Sequence, residues 1–317
     1  MISFIQRDDD PEIPPPYKFP GITIMSFRLQ ADIGKLQGLC DELLNIGSLA
    51  DRGFEYRAFT DFVDMEIVTY PKMLFDEPPY SSRGFASQQE LYFRFYVWKF
   101  ISLGGVLFPD VFHPPQLFFP FIYVDNSWSM ISGRNVIGFP KVMAQFYPTP
   151  VLGANPLKIK VSALALDKFL PTTELKWHPI VEINPATSLA APLPAGGPWP
   201  WAGLTTETPD PILEELLELF LSELPDEFET VQLKQFRDLP SGACFQAVVN
   251  TPFGFAPSSI GAVKPLPAVS ITVNEYDSLK IPTSLGLQAN TPLQPLLQYS
   301  VSLDMRMDNG SNLFVNY

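Results

Sequence analysis

The chain has 317 residues, 46% of them hydrophobic and 17% charged, and a formal net charge of −13. That length buries a sizeable core and that composition excludes a disordered chain. The acidic balance repels phosphate backbones and anionic bilayers, so neither nucleic acid nor a membrane is expected as a partner, and 34 prolines exclude long unbroken helices and favour short strands joined by turns.

Residues 1–16 are polar and end in Pro14-Pro15-Pro16. They read as an N-terminal arm leading into a single domain over 17–317. No basic start followed by an apolar core is present, so a secretory signal is not expected and a cytoplasmic protein is. Gly21 to Phe27 alternates and is rich in β-formers, the pattern of a strand. Asp32 to Leu44 carries apolar residues at Ile33, Leu36, Leu39, Cys40, Leu43 and Leu44, the spacing of an amphipathic helix with Asp32 as its cap.

Asp61 to Tyr70 and Glu90 to Phe100 read as strands, and Leu91, Phe93, Phe95 and Val97 of the second share one face. Pro109 to Pro120 reads as a proline-broken connection, followed by a short strand from Phe121 to Asp125. Lys158 to Leu166 and Leu175 to Asn184 are further strands. Residues 185–205, with Trp199-Pro200-Trp201, form a loop or lid candidate, with a plain surface loop as the alternative. A helix is expected from Asp210-Pro211, with Asp as N-cap and Pro at the first helical position. Val231 to Phe236 and Ala243 to Asn250 are strands around a turn at 238–242, and Leu296 to Met307 closes the domain. The sum is a β-rich α+β domain with a few helices.

Most catalytic classes start low. Cys40 and Cys244 have no metal or redox spacing, and His113 and His178 are the only two histidines, so no metal or cofactor is expected. The glycines lack the context of a phosphate loop. Ser127, Ser129 and Ser132 lack a nucleophile elbow. Lysine remains. Lys141 is flanked by Ile137, Phe139, Pro140, Val142 and Met143, with no charged residue nearer than Arg134. Of the 12 lysines it has the most apolar local setting. A desolvated amine can attack a ketone to form an iminium, an electron sink for breaking the adjacent bond. A half-exposed strand-end lysine is the alternative.

Tyr123-Val-Asp-Asn126, Gly133-Arg134 and Gly138-Phe-Pro-Lys-Val-Met-Ala144 resemble the acetoacetate decarboxylase family, in which a Tyr-Leu-Asp-Asn strand precedes Gly-Arg-Glu and then an aromatic-Pro-Lys-Lys. The spacing from Tyr123 to Lys141 fits without a gap, and Tyr17 to Asp32 fits the family's first strand and helix. The resemblance implies an antiparallel cone or barrel, a homo-oligomer and a small carbonyl substrate. It places Lys141 on the Schiff-base lysine and allows Glu90 as the acid/base. The family's second lysine is Val142 here, its Glu after Gly-Arg is Asn135, and its N-terminal active-site arginine falls on Ile22. The expected substrate contacts are therefore Ile22, Phe27, Arg28, Arg134, Phe139 and Met143, with core packing as the alternative role for the apolar members. The departures at Ile22 and Val142 favour a keto-acid or polyketide-like substrate undergoing aldol, dehydration, cyclisation or decarboxylation chemistry, over acetoacetate itself. The alternative is a cyclase or binding protein that uses the same pocket without an iminium.

Overall fold

The structure is a computed structural model that describes residues 5, 7, 9–187, 227–237, 242–255, 259–261 and 263–316. The loop with Trp199 and Trp201 and the helix expected from Asp210 lie outside the described residues. Strands are β1 (Tyr17–Gln30), β2 (Phe54–Ala58), β3 (Phe62–Phe75), β4 (Phe85–Leu103), β5 (Val106–Pro109), β6 (Gln116–Val124), β7 (Lys141–Tyr147), β8 (Ile159–Ala165), β9 (Lys176–Pro185), β10 (Glu227–Arg237), β11 (Ala243–Phe255), β12 (Lys264–Pro265), β13 (Val269–Val273), β14 (Pro292–Leu293), β15 (Leu297–Met307) and β16 (Ser311–Asn316). Helices are α1 (Ile33–Leu43), α2 (Leu49–Arg52), α3 (Ser127–Ser132) and α4 (Ile281–Leu285).

Seven strands close a barrel in the order β6-β10-β11-β15-β1-β3-β4, with β4 returning to β6. Neighbours are antiparallel except β6 and β10, which run parallel where Leu117 and Phe118 face Thr230 and Val231. From β6 a second sheet departs. β7 lies parallel to it, Lys141 opposite Ile122, and β8, β9, β13 and β14 follow antiparallel. Lys141 is thus the first residue of the strand at the seam between barrel and sheet.

Apolar side chains form two layers because the barrel strands are buried on both faces. The outer layer joins Phe27, Leu29, Met65, Leu91, Phe93 and Phe95 to the second sheet and to Leu36, Leu39 and Cys40 of α1. The inner layer joins Tyr17, Phe19, Ile22, Tyr70, Phe119 and Phe139. Asp32 caps α1 by accepting from the backbone of Gly34 and Lys35.

On β1 the parity of the inward face changes. Tyr17 and Phe19 point in; beyond the register shift between Phe19 and Ile22, the even-numbered Ile22, Ile24 and Arg28 do. Gly21 makes the bulge with φ 65°, a left-handed conformation that glycine adopts without strain. Phe27 consequently belongs to the outer core at 0% exposure and is not a pocket wall. Ile22 is also fully buried, within the inner apolar layer but off the cavity surface.

Three boundaries differ from the sequence expectation. Glu90 does not open its strand: β4 begins at Phe85. Pro109 to Pro120 is not one connection, since Val106–Pro109 and Gln116–Val124 are strands. Pro120 is tolerated there because two residues of β6 oppose one of β4, between the pairs Phe93–Phe121 and Phe95–Phe118. A bulge leaves its missing N–H unneeded. Lastly, β15 does not end the sheet; β16 follows and pairs with β11. The N-terminal arm is anchored as well. Ile13 is 1% exposed, its N–H donates to Ser132 Oγ at 3.1 Å and Ser132 Oγ donates to the Pro11 carbonyl at 2.7 Å.

Candidate active site

The barrel encloses a cavity of about 160 Å³, lined by inward residues of all seven of its strands and by α3 and the turn after it. The Asp125-Asn126 pair of the sequence motif ties the end of β6 to the start of β4. Asp125 Oδ1 accepts from the Gln89 backbone at 2.8 Å, and Asn126 Nδ2 donates to the Ser87 carbonyl at 3.0 Å. Asn126 Oδ1 also caps α3, accepting from the backbone of Trp128 and Ser129. That cap directs Ser129 to the cavity. The chain then makes one π-helical turn, Gly133–Ile137, ended by Gly138 at φ 97°. Single π turns recur at functional sites because they re-aim the chain within a helix.

Lys141 reaches the cavity from this turn with only 7% of its surface exposed. Its Nζ donates to Glu90 Oε2 at 2.7 Å and to Ser129 Oγ at 3.0 Å. Glu90 Oε2 also accepts from Gln88 Nε2 at 3.1 Å. Nearby on β3, burial and then the charges of Glu90 and Glu66 push the Tyr70 phenol well above its usual range. It therefore stays a neutral hydroxyl. Val142, the next residue along β7, packs against the outer core. Adjacent strand residues face opposite sides, so a lysine there could not enter the cavity from this strand.

Gly133 is required by close approach. A Cβ on it would stand 2.6 Å from Lys141 Cδ and 2.8 Å from Cε. Its backbone is ordinary right-handed helix, φ −60°, so an alanine is excluded by the lysine stem and not by conformation. Gly133→Ala is expected to displace Lys141 and lower activity by about 10²-fold, the scale of a small misplacement of a catalytic group. Adding Lys141→Ala should cancel the stability cost of Gly133→Ala. A double-mutant cycle on thermal unfolding checks this, and independent, additive effects would refute it.

A second polar group lines the same cavity farther along β3 and β4. Arg28 pairs with Asp64 through Nε at 2.8 Å and Nη2 at 3.1 Å. Arg94 pairs with Glu66 at 2.7 Å. The Tyr92 hydroxyl donates to Glu66, and Ser26 Oγ does so at 3.2 Å. Burial alone would raise the Asp64 carboxyl; Arg28 and Arg94 beside it outweigh that and hold it below its usual range.

The structure brings Lys141, Glu90, Arg28 and Phe139 to one cavity. It leaves four expected contacts elsewhere. Phe27 and Ile22 are core. Met143 of β7 pairs with Val124 of β6, half-buried and off the cavity. Arg134 is exposed, and its Nη1 donates to the Lys141 carbonyl at 3.0 Å, steadying the strand's backbone. Sequence reasoning missed Ser129, Gln88, Tyr70, Glu66 and Arg94. The signal for two of them was available: Gln88, Glu90, Tyr92, Arg94 and Tyr96 alternate with the apolar Leu91, Phe93, Phe95 and Val97, and such a polar set inside a buried strand must line something wet or reactive. Among the described residues no group of three or more His, Cys, Asp and Glu could hold a metal, and no helix is long and apolar enough to cross a membrane.

The sequence model of the Acetoacetate decarboxylase (ADC) family matches residues 4–161. No curated protein sequence matches the chain. Solved structures do resemble it. The acetoacetate decarboxylase of Legionella pneumophila superposes with a TM-score of 0.53 at 14% identity, covering 97% of this chain and 91% of that one. An acetoacetate decarboxylase-like enzyme from Sphingomonas wittichii RW1 gives 0.52 at 12% identity, covering 94% and 92%. The enduracididine biosynthesis enzyme MppR, complexed with the condensation product of pyruvate and imidazole 4-carboxaldehyde, gives 0.51 at 12% identity, covering 97% and 92%. At such identities the likeness is one of fold. That fold likeness spans the whole barrel, and on the sequence match over residues 4–161 the chain belongs to the acetoacetate decarboxylase family.

Proposed function

We propose that the protein is a lyase that forms a Schiff base between Lys141 and the carbonyl of a small keto-acid or polyketide-like substrate. The observation that carries the proposal is the buried Nζ in contact with one carboxylate and one hydroxyl at the head of an apolar cavity. Glu90 takes a proton from Nζ, and the free amine adds to the ketone carbon. The carbinolamine oxygen then departs as water with a proton returned by Glu90, leaving the iminium. The iminium draws the electron pair of the adjacent C–C or C–H bond onto nitrogen as an enamine. Protonation on carbon and hydrolysis free the amine. Ser129 holds Nζ toward the substrate. Acetoacetate decarboxylase is itself the standard example of a lysine activated by a hydrophobic pocket or a neighbouring cation; here the neighbouring cation is absent at Val142 and the contact is a carboxylate.

Borohydride added with substrate should fix a covalent adduct on Lys141, seen by peptide mass. Turnover without any mass increase on Lys141 would refute the mechanism. The closed Lys141–Glu90 ion pair favours one second reading, in which the pair is structural and the cavity shapes its ligand without an iminium. The family resemblance also supports a cytoplasmic homo-oligomer, and light scattering on the purified chain tests the assembly.

A further inference from the structure

We propose that the part of the substrate that enters the barrel is uncharged: a β-dicarbonyl or longer oligoketone, and not a keto acid that buries its carboxylate beside Lys141. The inference rests on the Schiff-base function of Lys141 and narrows its substrate.

Three cations line the cavity, Arg28, Arg94 and Lys141. Each already has its own carboxylate, Asp64, Glu66 and Glu90 respectively. The residues outside the described set contain no Lys, Arg or His, so they have no further cation to contribute. An entering carboxylate must therefore take a cation from a carboxylate that holds it. That leaves Asp64, Glu66 or Glu90 buried without compensation, which is costly in a low-dielectric interior. The net charge of −13 adds long-range repulsion of any anion.

The unmet hydrogen-bonding capacity is of the neutral kind. Arg94 Nη1 and Gln88 Oε1 have no partner among the described residues. A donor whose charge is already balanced suits a carbonyl oxygen, and an amide oxygen suits a hydroxyl or enol. Between them the walls are apolar or aromatic, with Tyr92, Tyr96, Phe119 and Phe253 among them. Glu90 and Arg94 stand four residues apart on one face of β4, about 13 Å along the strand. Lys141, beside Glu90, and Arg94 thus offer a substrate two separate polar contacts along one wall of the cavity.

The test compares 2,4-pentanedione with acetoacetate, which differ in a methyl against a carboxylate oxygen. The diketone condenses with an amine to an enaminone, forming one C–N bond as one water leaves; acetoacetate is trapped by borohydride. Rates of Lys141 modification are read by peptide mass and divided by each compound's rate with Nα-acetyl-lysine. The diketone should be favoured on the order of tenfold or more, the scale of one charge-dependent hydrogen bond. Equal or better acetoacetate modification overturns the inference and leaves the Schiff base standing. Glu66→Gln, which releases Arg94, should shift the ratio toward acetoacetate by about tenfold; Asp64→Asn, which releases Arg28, serves if the first variant does not fold. An unchanged ratio in a folded variant overturns the inference. If neither compound modifies Lys141, the Schiff-base function fails instead. The two are then ranked by calorimetric binding to Lys141→Arg, which keeps the charge count. Tighter diketone binding supports the inference, and equal or tighter acetoacetate binding overturns it.

Discussion

Lys141→Arg is expected to abolish the trapped adduct and to lower turnover by roughly 10⁴-fold or more, the scale on which enzymes lose rate when the nucleophile goes. Arginine is the informative replacement. It keeps a positive charge beside Glu90, so the buried pair survives, yet a guanidinium stays protonated at any working pH and cannot add to a ketone. Lys141→Ala removes the nucleophile too, but it leaves Glu90 uncompensated at 7% side-chain exposure. Breaking such a pair costs about 3–5 kcal/mol, so lost activity in that variant has two causes. Activity retained in Lys141→Arg would reject the iminium and favour the pocket-only reading. Steady-state turnover, borohydride trapping and a thermal melt on both variants separate the outcomes.

The sequence reported parts of this site faithfully, for a physical reason. Local signals survive burial: Asp32 caps α1, and the alternation over Leu91 to Val97 marks the outer face of β4. Lys141 stood out because its neighbours are apolar, which is also why it is buried. The inner face was harder. β1 is buried on both sides over Met25–Leu29, so polarity no longer alternates between water and core, and the bulge at Gly21 reverses which parity faces the cavity. The sequence reading expected both Phe27 and its neighbour Arg28 at the pocket; adjacent strand residues face opposite sides, and only Arg28 lines the cavity. Glu90 was paired with Lys141 through the family resemblance alone. Fifty-one positions separate them in sequence, and only closure of β4 on β6 brings the two together. Gly133 carried a visible motif position without a visible reason. The reason is three-dimensional, the passage of the lysine stem across its Cα.

Glu90→Gln supplies the second large effect. The amide keeps the shape of the side chain and can still accept a hydrogen bond from Nζ, but it cannot take the proton that must leave before the amine attacks, nor return it to the departing oxygen. Turnover should fall by about 10²–10⁴-fold, the usual range for a general acid–base group, while slow adduct formation on Lys141 persists in the mass assay. A wholly structural Glu90 predicts a different pattern, in which rate and thermal stability fall together and recover together. Glu90→Ala separates the two. It removes the carboxylate and leaves Lys141 without its partner, so the cavity holds one cation more than its remaining carboxylates balance. Added acetate should then enter and restore part of the turnover, saturating with concentration, because a mobile carboxylate can do the proton transfer that the fixed one did. The wild type should show no such response, since its three cavity cations are all matched. Rescue of stability without rescue of turnover would make Glu90 a charge partner only and remove it from the mechanism.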